Sequence, residues 1–150
     1  MMLIENPLNS SSLVFPILEC FHIAGFAMAI GTIAIVDFRL LNLGLRDQTA
    51  AQLASGTSMW TLSGLIVAIF SGLLLFSTDP DMYYLNWSFL IKMGCLVLAL
   101  IFNYAIHRKV AESPRSAGTG RLVACISLAL WVSIIFGGIF IASVRPGLGL

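Results

Sequence analysis

Residues 122–144 read LVACISLALWVSIIFGGIFIASV, without one charged side chain. The hydrocarbon core of a bilayer is about 30 Å thick, and a helix of about 20 apolar residues crosses it. A stretch this long is more than twice what a barrel strand needs, and a spanning backbone can satisfy its amides internally only as a helix or a closed barrel. The run therefore predicts a transmembrane helix, and the rest of the sequence repeats the pattern. Moving towards the N-terminus, further apolar runs occupy about 85–106, 59–77 and 13–36. With 59% apolar and 10% charged residues and a mean hydropathy of +0.97, the chain departs strongly from the roughly 25% charged content of soluble domains. The expectation is one all-α transmembrane domain over residues 1–150, a four-helix bundle that nearly exhausts the chain.

The connections set the expected orientation. Arg39 and Arg46 follow the first run, and Arg108, Lys109, Arg115 and Arg121 follow the third, whereas Arg145 alone stands on the other side. Basic residues are retained on the cytoplasmic face, so both termini are expected outside, on the periplasmic side of a bacterial inner membrane. The 78–86 connection has Asp79 and Asp81, no basic residue, and Tyr83, Tyr84 and Trp87 at interface height. Its Asp-Pro-Asp predicts a tight turn that makes the second and third helices antiparallel neighbours. Residues 46–58 alternate small and polar side chains and predict a short helix on the cytoplasmic surface. The segment MMLIENPLNSSS carries no basic residue ahead of the first apolar run, and that run is itself long enough to span, so a cleaved signal peptide is not expected.

Several function classes are excluded. A net charge of +1 without a basic tract gives nucleic acid no electrostatic footing. There is no glycine-rich nucleotide loop and no zinc-ligand spacing. Cys20, Cys95 and Cys125 fall inside apolar runs, form no CxxC pair, and read as small core residues. The expected surroundings are lipid, other membrane subunits or further copies of the chain.

Ionisable groups inside a span cost several kcal/mol unless paired or hydrated, which makes them the candidates for function. Glu19 and His22 lie in the first span and Lys92 in the third. At 1.5 Å per residue from the span starts, His22 and Lys92 reach nearly the same depth on parallel helices. Glu19, three residues before His22, projects from the same helical face. The three are expected to share one site in the outer half of the bundle, with the simpler alternatives of a Glu19–Lys92 ion pair, a Lys92 that snorkels to the interface, or a His22 that packs with a hydrogen bond to a neighbouring helix. His107 lies about 20 Å deeper than His22, too far for the two to share one haem, and beside Arg108 and Lys109 it reads as an interfacial residue. Asp37 with Arg39 reads as a local charge pair marking exit from the membrane. Ala24, Gly25, Ala27, Ala29 and Gly31, with Gly137 and Gly138, predict close helix contacts or a slot for a flat ligand. Lys92, Cys95, Ala99 and Asn103 form one stripe facing the bundle, and Trp131 is too deep for an interface anchor.

The segments ECFHIAGFAMAIGTIAIVDFRLL and FLIKMGCLVLALIFNYAIHRKV resemble the first and third helices of small bacterial membrane proteins related to the copper-resistance D type. HemJ-type protoporphyrinogen oxidases are similar more distantly. The shared features are a histidine early in an Ala/Gly-rich span with an arginine at its end, and Phe-x-x-Lys opening an apolar run that closes on His-Arg. The resemblance implies a b-type haem associated with His22 and Lys92; the leading expectation built on it makes His22 the metal ligand, with Glu19 orienting His22 or handling a proton. Lys92 would be the second ligand or would neutralise a propionate. On this expectation the chain is a haem subunit passing electrons within a larger membrane redox complex. The alternatives are a non-catalytic accessory subunit or a small transporter, and independent enzymatic activity is not expected.

Overall fold

The computed structural model describes residue 8 and residues 11–113 and 116–143; Arg115, Val144, Arg145 and Pro146 lie outside the described residues. Four long apolar helices, each able to cross a bilayer, dominate the chain. They are α1 (Val14–Leu40), α2 (Ala50–Thr78), a third span built from α4 (Trp87–Phe102), a π turn (Asn103–His107) and α5 (Arg108–Glu112), and α6 (Ala117–Ser143); the short α3 (Pro80–Tyr84) precedes the third span. The fold is that of a multi-pass membrane protein.

Two spans start earlier than hydropathy predicts. Residues 50–58 are not a separate surface helix but the first turns of α2. The reason is local: Thr49 Oγ1 accepts from Gln52 N at 3.2 Å while Gln52 Oε1 accepts from Thr49 N at 2.8 Å, a capping box that starts the helix at Ala50. Likewise α6 begins at Ala117, ahead of the apolar run. The first span also extends past its expected end, because Asp37 and Arg39 are still helical. Beyond Leu40 the chain reverses through left-handed backbone at Asn42 (φ 60°), Gly44 (φ 130°) and Leu45 (φ 52°).

The 78–86 connection is not a bare tight turn. Pro80 stands in the first turn of α3, Asp79 Oδ1 accepts from Met82 N at 3.3 Å, and Asn86 then caps α4 by accepting from Ser88 N at 2.9 Å. Here Phe76 of α2 stacks on Phe89 of α4 with ring centroids 5.6 Å apart, and Tyr83 closes the trio. Below this cap α2 and α4 diverge. The extensive contacts are α1 with α2, α4 with α6, and α1 with α6.

Packing of α1 on α2 is set by glycine. A Cβ on Gly25 would lie 2.7 Å from Ala68 N, and one on Gly64 would lie 2.7 Å from Gly25 O, so the two backbones touch. Next to this contact a buried apolar cluster gathers Ala29, Ile33, Leu65, Leu96, Ala99, Trp131 and Ile134. Trp131 thus belongs to the core. Outward faces carry Phe21, Ile66, Phe70, Leu98, Ile101 and Phe136, all exposed, as lipid contact requires. Cys20 and Cys125 are exposed on these faces rather than buried, and only Cys95 packs against the core.

Candidate functional site

His22 sits in the third turn of α1, where the facing position on α2 is Gly72. A Cβ there would come within 2.8 Å of the imidazole Cε1, so the glycine is what admits the ring. His22 Nδ1 lies 2.8 Å from the Ala68 carbonyl oxygen, and a carbonyl can only accept, so Nδ1 carries the proton. Ser71 Oγ stands 3.3 Å from the same nitrogen. The remaining nitrogen, Nε2, faces Lys92 Nζ at 3.4 Å. Lys92 reaches it across Gly137 and Gly138 of α6, with Nζ 5.3 Å from the Phe26 ring centroid. Phe26 in turn meets the imidazole edge-on at 5.0 Å.

Of the three residues expected to meet, the structure brings His22 and Lys92 together and leaves Glu19 outside. Glu19 is exposed and makes no hydrogen bond or ion pair with either. Its charge bears instead on Tyr83, whose phenol is pushed above the ordinary range by burial first, then by Glu19 and Asp79. Lys92 is partly buried against His22, so neither the Glu19 ion pair nor a snorkelling lysine describes it.

A second polar centre lies at the other end of the bundle. Asp37 is fully buried, His107 is 3% exposed, and Nε2 of His107 lies 2.7 Å from Asp37 Oδ1. Ser127 of α6 donates to Asp37 Oδ2 at 2.8 Å. This replaces two expectations. His107 is not an interfacial cation, and Asp37 does not pair with Arg39, which donates to Gln48 O at 2.6 Å and Asn42 Oδ1 at 3.1 Å. The π turn explains why. Ala99, Asn103 and His107 are buried at two successive four-residue steps, which on a regular helix would drift about 80° around the axis. The wider turn over Asn103–His107 cancels the drift and keeps all three facing inward. The stripe of Lys92, Cys95, Ala99 and Asn103 pointed the right way; nothing in the composition signals the extra residue.

Beside this centre, between the early turns of α2 and the π turn, lies a cavity of about 210 Å³ whose polar lining includes Thr32, Thr57, Thr61, Asn103, His107 and Arg108. Thr32 and Thr61 share a hydrogen bond of 2.8 Å across the α1–α2 seam. Between Thr32 and His22 the interface holds Gly25, Ala29, Gly64 and Ala68 in close contact, without a polar side chain. The bundle thus carries two polar levels separated by apolar packing. Among the described residues no cluster of three His, Cys, Asp or Glu side chains gathers as a metal site.

No curated protein and no solved structure matches the chain. A family model does match, over residues 13–144, which takes in all four spans and both polar levels. The chain belongs to DUF6644, a family of unknown function.

Proposed function

We propose that the protein is an integral subunit of a larger membrane assembly and that it binds and releases a proton at the His22–Lys92 pair. The observation that carries this reading is the 3.4 Å approach of two bases, imidazole Nε2 and lysine Nζ, with no carboxylate among the described residues bonded to either. Two full positive charges that close would repel by about 5 kcal/mol even at an effective dielectric of about 20, so the pair holds one proton between them. With Nδ1–H fixed on Ala68 O, the Nε2 lone pair accepts from Lys92. Transfer along that bond leaves a neutral amine and an imidazolium whose Nδ1–H still has its carbonyl. The excess of basic residues in the connections after the first and third spans supports placing this pair near the periplasmic face of a bacterial inner membrane. Short connections between spans, which leave the lateral faces as the main available surface, support a role within an assembly rather than alone.

The test is ¹⁵N spectroscopy of the histidines in lipid nanodiscs. His22 should appear as the neutral tautomer protonated at Nδ1, and Lys92→Met should shift its Nε2 signal. An Nε2-protonated ring, insensitive to Lys92, would sink the reading.

A b-type haem subunit is the second reading, favoured by one feature: Nδ1 bonded to a backbone carbonyl is the arrangement that orients a ligating imidazole and leaves Nε2 for a metal. The donor types suit an iron; the spacing does not yet. A haem held between His22 and Lys92 would need room for its flat macrocycle between the two nitrogens. Here the groups touch at 3.4 Å and Phe26 lies alongside, so α1 and the third span would have to part. Haem bound there would supply one-electron transfer, His22 would hold it, and Lys92 would ligate or neutralise a propionate. A reduced-minus-oxidised spectrum of protein purified with its lipids decides: a b-type α-band favours haem, and its absence favours the proton site.

A further inference from the structure

We propose that Asp37, His107 and Ser127, with the cavity beside them, form a second proton-binding site that exchanges with water at the α5 end of the bundle. Its residues are distinct from the His22–Lys92 pair, and the site does not depend on that pair.

Three elements converge to build the site: α1 supplies Asp37, the π turn supplies His107, and α6 supplies Ser127. A carboxylate this deeply buried costs several kcal/mol unless it is paired or protonated. Both of its oxygens are taken, Oδ1 by His107 Nε2 and Oδ2 by the Ser127 hydroxyl. With Nε2–H donating to the carboxylate the cluster carries one negative charge in a low-dielectric setting. That charge is removed when Nδ1, the nitrogen not engaged by Asp37, accepts a proton and the ring becomes an imidazolium. The donor is a hydronium in the cavity, left behind as water, and release runs the same step backwards.

The cavity gives this proton a route. Its polar groups, the hydroxyls of Thr32, Thr57 and Thr61 and the Asn103 amide, can hold water, and His107 itself lines it. Asn103 and His107 reach it together because the π turn points both inward. Among the described residues no other charge competes for the dyad. Within α2 there is no charged residue. On α1, Arg39 is engaged with Gln48 and Asn42. On α5, Arg108 lines the cavity but its guanidinium is held by Glu112 at 2.8 Å, and Lys109 is exposed. On α6, Arg121 is exposed.

The experiment uses the full-length chain, ¹⁵N-labelled at histidine, in nanodiscs. With two histidines in the sequence, His22→Gln leaves a single imidazole and assigns the His107 signals. His107 Nδ1 should pass between imidazole and imidazolium as pH is varied and should exchange with D₂O. Thr57→Leu, which fills the cavity without touching the dyad, should slow that exchange by about tenfold or more. Asp37→Asn should shift the titration; if that variant does not fold, Ser127→Ala, which removes one hydrogen bond to Asp37, should shift it too. A His107 signal that stays constant over every pH at which the chain is folded, or equal exchange rates in the wild type and Thr57→Leu, would overturn the proposal. The His22 tautomer is read from separate signals, so one site can fail while the other stands.

Discussion

Asp37 and His107 meet at 2.7 Å across a separation of 70 residues, and the same separation joins His22 to Lys92. The coincidence has a geometric cause. α1 and the third span run parallel, so moving fifteen residues along each carries one contact into the next, about 22 Å away by helical rise. One register therefore aligns both polar levels, and a slip between these helices breaks both at once.

Removing the Asp37 carboxylate should be costly. Asp37→Ala leaves His107 and Ser127 buried without their acceptor, and breaking a buried pair costs about 3 kcal/mol or more. Ser127→Ala removes only a neutral donor, and interhelical hydrogen bonds in membranes average about 0.6 kcal/mol. Thermal unfolding in lipid should place Ser127→Ala close to wild type and Asp37→Ala well below it. Equal losses would mean that the dyad contributes no more than an ordinary hydroxyl contact.

At the His22–Lys92 level, Gly72→Ala is the selective probe. Its Cβ would meet the His22 ring at 2.8 Å, and the imidazole, at the end of a side chain, can yield. The ring should turn away from Lys92, shifting the His22 ¹⁵N signals while His107 keeps its own. Stability should fall by about 1 kcal/mol, as for mild overpacking. A His22 signal unchanged by the extra methyl would place the ring elsewhere.

The four spans are open to view in the sequence, because lipid demands long apolar runs and little else produces them. The common depth of His22 and Lys92 is legible too, since it follows from counting residues along two parallel helices. Three things are hidden. Thr49-x-x-Gln52 is a readable capping box, but hydropathy counts polar residues against a span, so on hydropathy alone α2 starts nine residues late. The inward turn of His107 depends on a π turn, a departure from helical periodicity that no pattern of apolar residues records. The outward Glu19 shows that sharing a helical face with His22 at three residues' spacing does not fix where a flexible side chain points.

Alkaline pH should loosen the cap formed by Tyr83 with Phe76 and Phe89. Burial, then the charges of Glu19 and Asp79, holds the Tyr83 phenol above its ordinary value of 10.0. Below that value both folded and unfolded chains keep the proton, and the full contribution is present. As pH rises further the unfolded chain ionises first, and stability is lost up to the higher folded value. Tyr83→Phe should keep the ring packing and flatten this fall, as followed by unfolding from about pH 9 to 11. Tyr84, whose phenol is pushed above its ordinary value mainly by the charge of exposed Asp81, should form its phenolate over the same pH range with and without that substitution.

Glycines on α1 offer the sharpest contrast between contact and composition. Gly25 and Gly64 face each other so closely that a Cβ on Gly25 would stand 2.7 Å from Ala68 N and 2.9 Å from Gly64 O, both backbone atoms that cannot rotate aside. Gly25→Ala must therefore push α1 from α2 along the length of their contact, at a cost of about 1–3 kcal/mol, and with α1 go both polar levels. Gly31, on the same helix, has nothing within 4 Å of an added Cβ. There the substitution only removes glycine's helix penalty, so Gly31→Ala should be neutral or more stable by up to about 1 kcal/mol. Measured side by side in lipid, the first variant should lose stability and perturb both histidine signals, whereas the second should change neither signal. Two equal and small effects would show that the helices do not rely on this close approach.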